Sequence, residues 1–266
     1  MNLMETPQAW IYAIATTDLT TKQVEIFGID EQPIQWVSIE SLQIAVSPDI
    51  GNMARKGLEH AFLKYELVLC KLCSSRDCLP VRFGTKMPMH QVPEILGKQA
   101  KRFHEQLEAF SGCCEISVRW AIPIQILDQP STSNLTTDLT STSKSTTAES
   151  GTSYLVRRRE QSRIASAAER LASETGSKLR DRYPAAIRKV LSTARKLDSR
   201  SMPCAMQPST ESEVSDFSDL IVIELALLVL KSDAERIKSL LHSQHIHGQA
   251  PTLISGPWPL YSFVGQ

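Results

Sequence analysis

One segment, residues 115–122, has the sequence Glu-Ile-Ser-Val-Arg-Trp-Ala-Ile. Its large apolar residues recur at every second position, which predicts a β-strand with one buried face. Glu115 and Arg119 fall on the opposite, polar face of this strand.

The chain before this strand alternates short apolar runs with helical patterns. We predict strands at 10–15, 34–46 and 79–83, and helices over 53–72 and 92–110. In the first helix the inward positions are Leu58, Ala61, Phe62, Tyr65, Leu69 and Leu72. Strand–helix–strand–helix–strand order with short connections predicts a ferredoxin-like (split βαβ) sheet with helices on one face.

Residues 129–152 are almost all Ser, Thr, Asn, Asp, Lys and Gly. Such a segment buries too little apolar surface to offset its ordering entropy, so we predict a disordered linker, with a second, weaker one at 199–215. The predicted domains are therefore an N-terminal α+β ferredoxin-like domain at 1–128 and a C-terminal α+β domain at 153–266. The fold class is α+β, with two small domains that each resemble a modified ferredoxin-like sheet with helices packed on it.

The second domain begins with a long helix from Tyr154 to about Arg182, which Pro184 interrupts. Helical turns are expected at 187–191, and the apolar run 217–230 fits either a strand or a helix. Ser232 and Glu235 have the spacing of a capping box that starts a further helix. Residues 252–258 are predicted to form a closing strand.

The charge balance limits the possible partners. Lys and Arg together number 29, as do Asp and Glu, so the formal net charge is zero. Binding to nucleic acid or to an anionic membrane needs a basic excess, so neither partner is expected.

The apolar run 220–230 is too short to span a bilayer and contains Glu224. We expect a cytoplasmic protein whose six cysteines stay reduced.

Two groups of residues have partial metal-ligand character: Cys70, Cys73 and Cys78, and His242, His245 and His247. A structural zinc site takes four ligands, and here no second paired knuckle follows. We therefore favour free thiols, and histidines that interact with a helix C-terminus. No phosphate-binding loop or nucleophile motif is present, so neither an enzyme nor a cofactor is predicted.

Two motifs combine aromatic residues with proline and glycine. The first is Leu79-Pro-Val-Arg-Phe-Gly-Thr85, and the second is Gly256-Pro-Trp-Pro-Leu-Tyr-Ser-Phe-Val264. Their candidate partner-binding residues are Arg82, Phe83, Trp258, Tyr261 and Phe263. By strand parity Arg82 is expected to pair with Glu115. In the tail, which we assign to the second domain, Trp258 is expected to be buried and Tyr261 or Phe263 partly exposed.

These motifs resemble those of the gas vesicle F and L proteins (GvpF/GvpL), which also share the Tyr154-Leu155 and Arg157–Arg159 stretch. Leu260 stands where that family usually has a second proline. The resemblance implies two modified ferredoxin folds and a cytoplasmic or vesicle-bound protein needed for gas vesicle formation. It also implies binding to the hydrophobic shell protein GvpA and to other accessory proteins. The alternative, based on fold alone, is a ligand- or metal-sensing regulatory protein.

Overall fold

The computed structural model describes residues 8–17, 25–51, 57–127, 151–196 and 220–264. The chain divides into two compact units. The first takes in Met1–Glu115, Leu228–Ser232 and Pro257–Gln266, and the second Ile116–Leu227 and Asp233–Gly256. These bounds differ from the domain bounds expected from sequence, because the chain from Ile116 onward belongs to the second unit, whereas Leu228–Ser232 and the aromatic tail belong to the first. Residues 129–150 of the predicted linker, and the segment 199–215, lie outside the described residues.

The first unit contains an antiparallel sheet built around its first strand. The strands are β1 (Gln8–Thr16), β2 (Gln35–Ile39), β3 (Leu42–Pro48), β4 (Cys78–Pro80) and β5 (Lys86–Pro88). Their order is β2-β3-β1-β4, and β5 pairs with the other end of β1. The predicted extended region 34–46 is thus a hairpin, with Glu40 in its turn at φ 53°.

Helices cover both faces of this sheet. They are α1 (Leu58–Ser75), α2 (Val92–Gly97) and α3 (Ala100–Ala109). Helix α1 packs with Trp10 and Tyr12 on one face, and α2 and α3 pack with Ile11 and Ile14 on the other. The prediction of helices on one face was therefore wrong. Residues 9–15 of β1 are all buried, and a strand that is apolar on both sides needs cover on both sides.

The second sheet is formed by β6 (Cys113–Pro123), β7 (Ile187–Lys196), β8 (Leu220–Leu230) and β9 (Leu253–Trp258), and their order is β7-β8-β6-β9. The helices of this part of the chain are α4 (Ile124–Leu127), α5 (Gly151–Arg182) and α6 (Ala234–His242). The predicted strand 115–122 lies within β6, and the closing strand 252–258 corresponds to β9. Both predictions are confirmed.

Two local predictions for the second half were wrong. Residues 187–191 belong to strand β7, because an apolar spacing seen over only five residues fits a strand as well as a helix. Helix α6 has Asp233 at its N-cap without a side-chain capping bond, so the capping box of Ser232 and Glu235 does not form.

The apolar run 220–230 is strand β8. Within the described ranges, no helix has the length and apolarity that crossing a bilayer requires.

Gly28 lies where a side chain has no room. The Tyr12 hydroxyl and Ser47 Oγ are 3.0 Å apart, and the Ile29 N–H donates to the same hydroxyl. A Cβ at Gly28 would lie 2.5 Å from Ser47 Oγ. The close approach of backbone to this buried hydroxyl pair therefore requires glycine.

We expect Gly28→Ala to lower the free energy of unfolding by about 1–3 kcal/mol, the usual cost of overpacking. Gly97→Ala is the matched control, since its Cβ would lie 3.8 Å from Ile39 Cγ2, an ordinary contact. Chemical denaturation of both variants measures the effect. Equal stability of the two variants would contradict the packing described around Gly28.

Asp77 forms hydrogen bonds with two other segments of the first unit. It lies in the connection between α1 and β4, and its carboxylate accepts hydrogen bonds from Gly112 N (2.7 Å) and Ser111 Oγ (3.0 Å). Lys231 Nζ donates to its other oxygen at 2.9 Å. Burial alone would raise the pKa of Asp77, but the hydrogen bonds and the Lys231 charge outweigh burial and hold that pKa below its ordinary value.

Because the pKa of Asp77 is lower in the folded chain, its charge stabilises the fold above the unfolded-state pKa of about 4. That contribution is lost as pH falls through the lower, folded value. We expect Asp77→Asn to cost about 1–2 kcal/mol at pH 7, a figure kept small because the side chain is partly exposed. Thermal unfolding from pH 7 to pH 3 tests this, and a difference from wild type that grows on acidification would contradict it.

Candidate partner-binding surface

Helix α1 carries apolar side chains on its solvent side as well as on its core side. Ala61, Tyr65 and Leu69 face the sheet and are buried. Four large apolar residues are exposed, Leu58 (65%), Phe62 (44%), Leu63 (57%) and Leu67 (61%). We call these four residues the α1 surface. Groups of exposed apolar residues mark interaction sites more often than single exposed residues do.

The helical spacing predicted that Leu58 and Phe62 point inward, but both side chains are exposed. The buried arc of α1 is narrower than predicted, because Tyr65 and Leu69 already fill the space against the sheet. Leu63 and Leu67 were not singled out at all. The sequence feature that could have identified them is an apolar pair at i and i+4 outside the positions predicted to face the core. This spacing places both side chains on one side of a helix.

Phe83 packs against Phe62, one of the four residues of the α1 surface. Its ring packs edge-on against Phe62 and against Tyr65, with centroids 5.3 Å apart in each case. Trp10 stacks on it at 6.1 Å. The Tyr65 hydroxyl donates into the strand edge, with the carbonyls of Ile11 and Val81 within hydrogen-bond distance. Phe83 is thus half-buried and holds the exposed ring of Phe62 in place.

Arg82 is exposed, in the turn that follows β4. The predicted Arg82–Glu115 pair was wrong, because Glu115 is buried and turned towards the tail. Its carboxylate accepts from Ser262 N at 2.9 Å and from Ser262 Oγ at 2.7 Å. The other polar position of that strand, Arg119, pairs with Glu224 at 2.8 Å. Strand β4 ends at Pro80, whereas the predicted strand continued to residue 83. Arg82 therefore lies outside the strand, and the alternation of side chains between the two faces of the sheet does not apply to it.

Tyr261 connects the tail to α1. Its hydroxyl donates to Glu66 Oε2 at 2.9 Å, and its ring packs against the core cluster of α1. Burial, and then the hydrogen bond to Glu66 and the charge of that residue, raise the pKa of Tyr261 above its ordinary value. The hydroxyl therefore stays protonated and keeps its role as donor.

The prediction that Trp258 is buried was wrong. Trp258 is 39% exposed, whereas Phe263 is 1% exposed and packs on Phe110 at 6.5 Å. The tail was expected to pin to the second domain, but it packs within the first unit. The structure thus brings Phe83 and Tyr261 against α1, leaves Arg82 exposed after β4 and places Phe263 in the core.

The candidate metal ligands do not assemble into a site. Among the described residues, no group of three His, Cys, Asp or Glu side chains has an arrangement that could hold a metal ion. Cys70, Cys73 and Cys78 are free thiols. His242 lies in the last turn of α6, and His245 Nδ1 is 3.0 Å from the Ser243 carbonyl oxygen.

Comparison with known proteins identifies relatives of this chain. A profile of the family described as gas vesicle synthesis protein GvpL/GvpF matches residues 8–265. The crystal structure of the gas vesicle protein GvpF from Anabaena sp. PCC7120 is similar over 97% of this chain and 95% of its own, with a TM-score of 0.59 and 16% identity. GvpF from Microcystis aeruginosa gives a TM-score of 0.61 and 14% identity over 97% and 99%. At these identities the likeness shows the fold. Among curated proteins, none matches the sequence significantly.

Proposed function

The chain belongs to the gas vesicle synthesis protein GvpL/GvpF family, and from that premise we propose that it is a non-enzymatic accessory or minor structural protein required for gas vesicle formation. In this role it binds the hydrophobic shell protein GvpA, and other gas vesicle proteins, on the growing vesicle. The family match across residues 8–265 is the observation that carries the proposal.

The α1 surface is the part of the described chain that we assign to GvpA. A small hydrophobic partner protein offers apolar side chains, and Leu63 and Leu67 present two such side chains more than half exposed. Burying one leucine side chain completely is worth about 1.5–3 kcal/mol. A contact that buries this pair therefore supplies enough free energy to act as a hot spot.

The other sequence candidates take different roles in this proposal. Arg82, Trp258 and Tyr261 are proposed to add to the contact, because partly exposed aromatic and arginine side chains suit an interface. Phe83 supports Phe62 from below. Phe263 is buried and contributes to stability, not to binding.

A complementation experiment tests the proposed function. In a gas vesicle-forming cell that lacks its own copy of this gene, we expect no intact vesicles, and we expect the wild-type chain to restore them. Copurification of GvpA with the tagged chain is expected in the restored cells. Normal vesicles in the deleted cells, or a chain that carries a bound ligand or metal but no GvpA, would overturn the proposal in favour of a regulatory protein.

A further inference from the structure

A cavity of about 210 Å³ in the first unit has five cysteines in its wall. They are Cys70 and Cys73 of α1, Cys78 of β4, and Cys113 and Cys114 of β6. Cys70, Cys73 and Cys78 are free thiols. The wall also contains Asp77, Lys231 and the exposed ring of Trp258. This concentration of thiols has no part in the proposed binding to GvpA.

Two of these thiols are already almost in bonding position. Cys73 lies in the last turns of α1 and Cys78 begins β4, and their Sγ atoms are 2.7 Å apart. A disulfide bond is about 2.05 Å long, so the two sulfurs need to approach by only about 0.65 Å. We propose that Cys73 and Cys78 form a redox modification site, which a small-molecule disulfide of the glutathione class converts to an intramolecular disulfide.

The surrounding structure keeps the pair together. Lys231 Nζ donates to the Cys73 carbonyl oxygen and to Asp77 Oδ1, both at 2.9 Å. Asp77 in turn accepts from Gly112 N, which fixes the connection between the two cysteines. The end of α1 and the start of β4 are therefore held next to each other before oxidation.

The reaction proceeds in two exchange steps. The Cys73 thiolate attacks one sulfur of glutathione disulfide, which forms a mixed disulfide and releases one glutathione thiolate. The Cys78 thiolate then attacks the Cys73 sulfur, which forms the intramolecular bond and releases the second glutathione. The two protein thiols lose two electrons and two protons, and the glutathione disulfide takes them up as two thiols.

Cys73 is the entry point, because it is half-buried on the cavity wall whereas Cys78 is buried. The pKa of Cys73 is raised by its hydrogen bond to Cys78, by burial, and by the charges that the Cys78 and Cys70 thiolates would carry. The positive charge of Lys231 acts in the opposite direction but does not outweigh these effects. Little thiolate is then present at neutral pH, and the thiolate is the nucleophile. We expect oxidation to be slow at pH 7 and at least tenfold faster at pH 9.

Peptide mapping of the full chain tests the proposal. Lys71, Arg76 and Arg82 place the two cysteines on separate tryptic peptides, 72–76 and 77–82, while Cys70 falls on a third. After incubation of the native chain with glutathione disulfide and alkylation of the remaining thiols, we expect peptides 72–76 and 77–82 to be joined. Dithiothreitol is expected to separate them again.

Two variants sharpen the test. In Cys78→Ser the second step cannot occur, so glutathione should accumulate on Cys73, whereas Cys70→Ser should leave the joined peptides unchanged. The proposal is overturned if native wild type yields only glutathione adducts, a link from Cys73 to Cys70, or no oxidised product at pH 9. Since these outcomes are read from wild type, they hold even where a variant fails to fold.

Discussion

We expect Phe263→Ala to lower the free energy of unfolding by about 3–5 kcal/mol, the cost of removing a core aromatic side chain. Phe263 is 1% exposed and is among the largest fully buried side chains of the chain. Its ring meets Phe110, and the adjacent Ser262 donates twice to the buried carboxylate of Glu115. The tail is thus part of the core of the first unit, and removing the Phe263 ring leaves a cavity there.

Trp258→Ala is the matched control for Phe263. Although tryptophan is the larger residue, Trp258 is 39% exposed, so we expect its removal to cost about 1 kcal/mol or less. Chemical denaturation of both variants in parallel gives the two values. A Phe263→Ala variant as stable as wild type, or a larger loss for Trp258→Ala, would show that the tail does not pack as described.

The second large effect concerns binding. We expect the double variant Leu63→Glu/Leu67→Glu to weaken the affinity for GvpA by at least 30-fold, which corresponds to about 2 kcal/mol. Two carboxylates would then enter an apolar contact without partners, and burying an unpaired charge is costly. Both positions are exposed, so the free energy of unfolding should change by only about 0.5 kcal/mol per site.

Strong periodicity in the sequence predicted the elements of this fold well. The strict alternation of 115–122 lies within β6, and the apolar run at 10–15 lies within β1. The long helix ends at Arg182, before Pro184, because proline cannot continue a helix. These features depend on local spacing, which a sequence contains in full.

Predictions that required knowledge of distant partners did not succeed. The alternation in 115–122 placed Glu115 on a polar face, but the tail residue Ser262 lies nearly 150 positions away and satisfies the carboxylate in a buried site. Periodicity also cannot show how wide the buried arc of a helix is. Leu58 and Phe62 fit the core stripe by spacing, yet they lie outside the area that the sheet covers.

The aromatic tail shows the same limit for the candidate site. Residue type alone predicted Trp258 as the buried ring, but Phe263 is the buried one and Trp258 is exposed. In the turn at residues 259–264 the Phe263 N–H donates to the Leu260 carbonyl, and the Phe263 ring is buried next to Phe110, a partner that local spacing does not reveal.

A titration of purified chain with GvpA tests the central claim most directly. Wild type, Leu63→Glu/Leu67→Glu and Leu155→Glu are compared, because Leu155 on α5 is 62% exposed, which matches Leu67 at 61%. We predict saturable binding by wild type and by Leu155→Glu, and at least 30-fold weaker binding by the double variant. Absence of binding by wild type would contradict the proposed function, and equal affinity of all three would contradict the assignment of GvpA to the α1 surface.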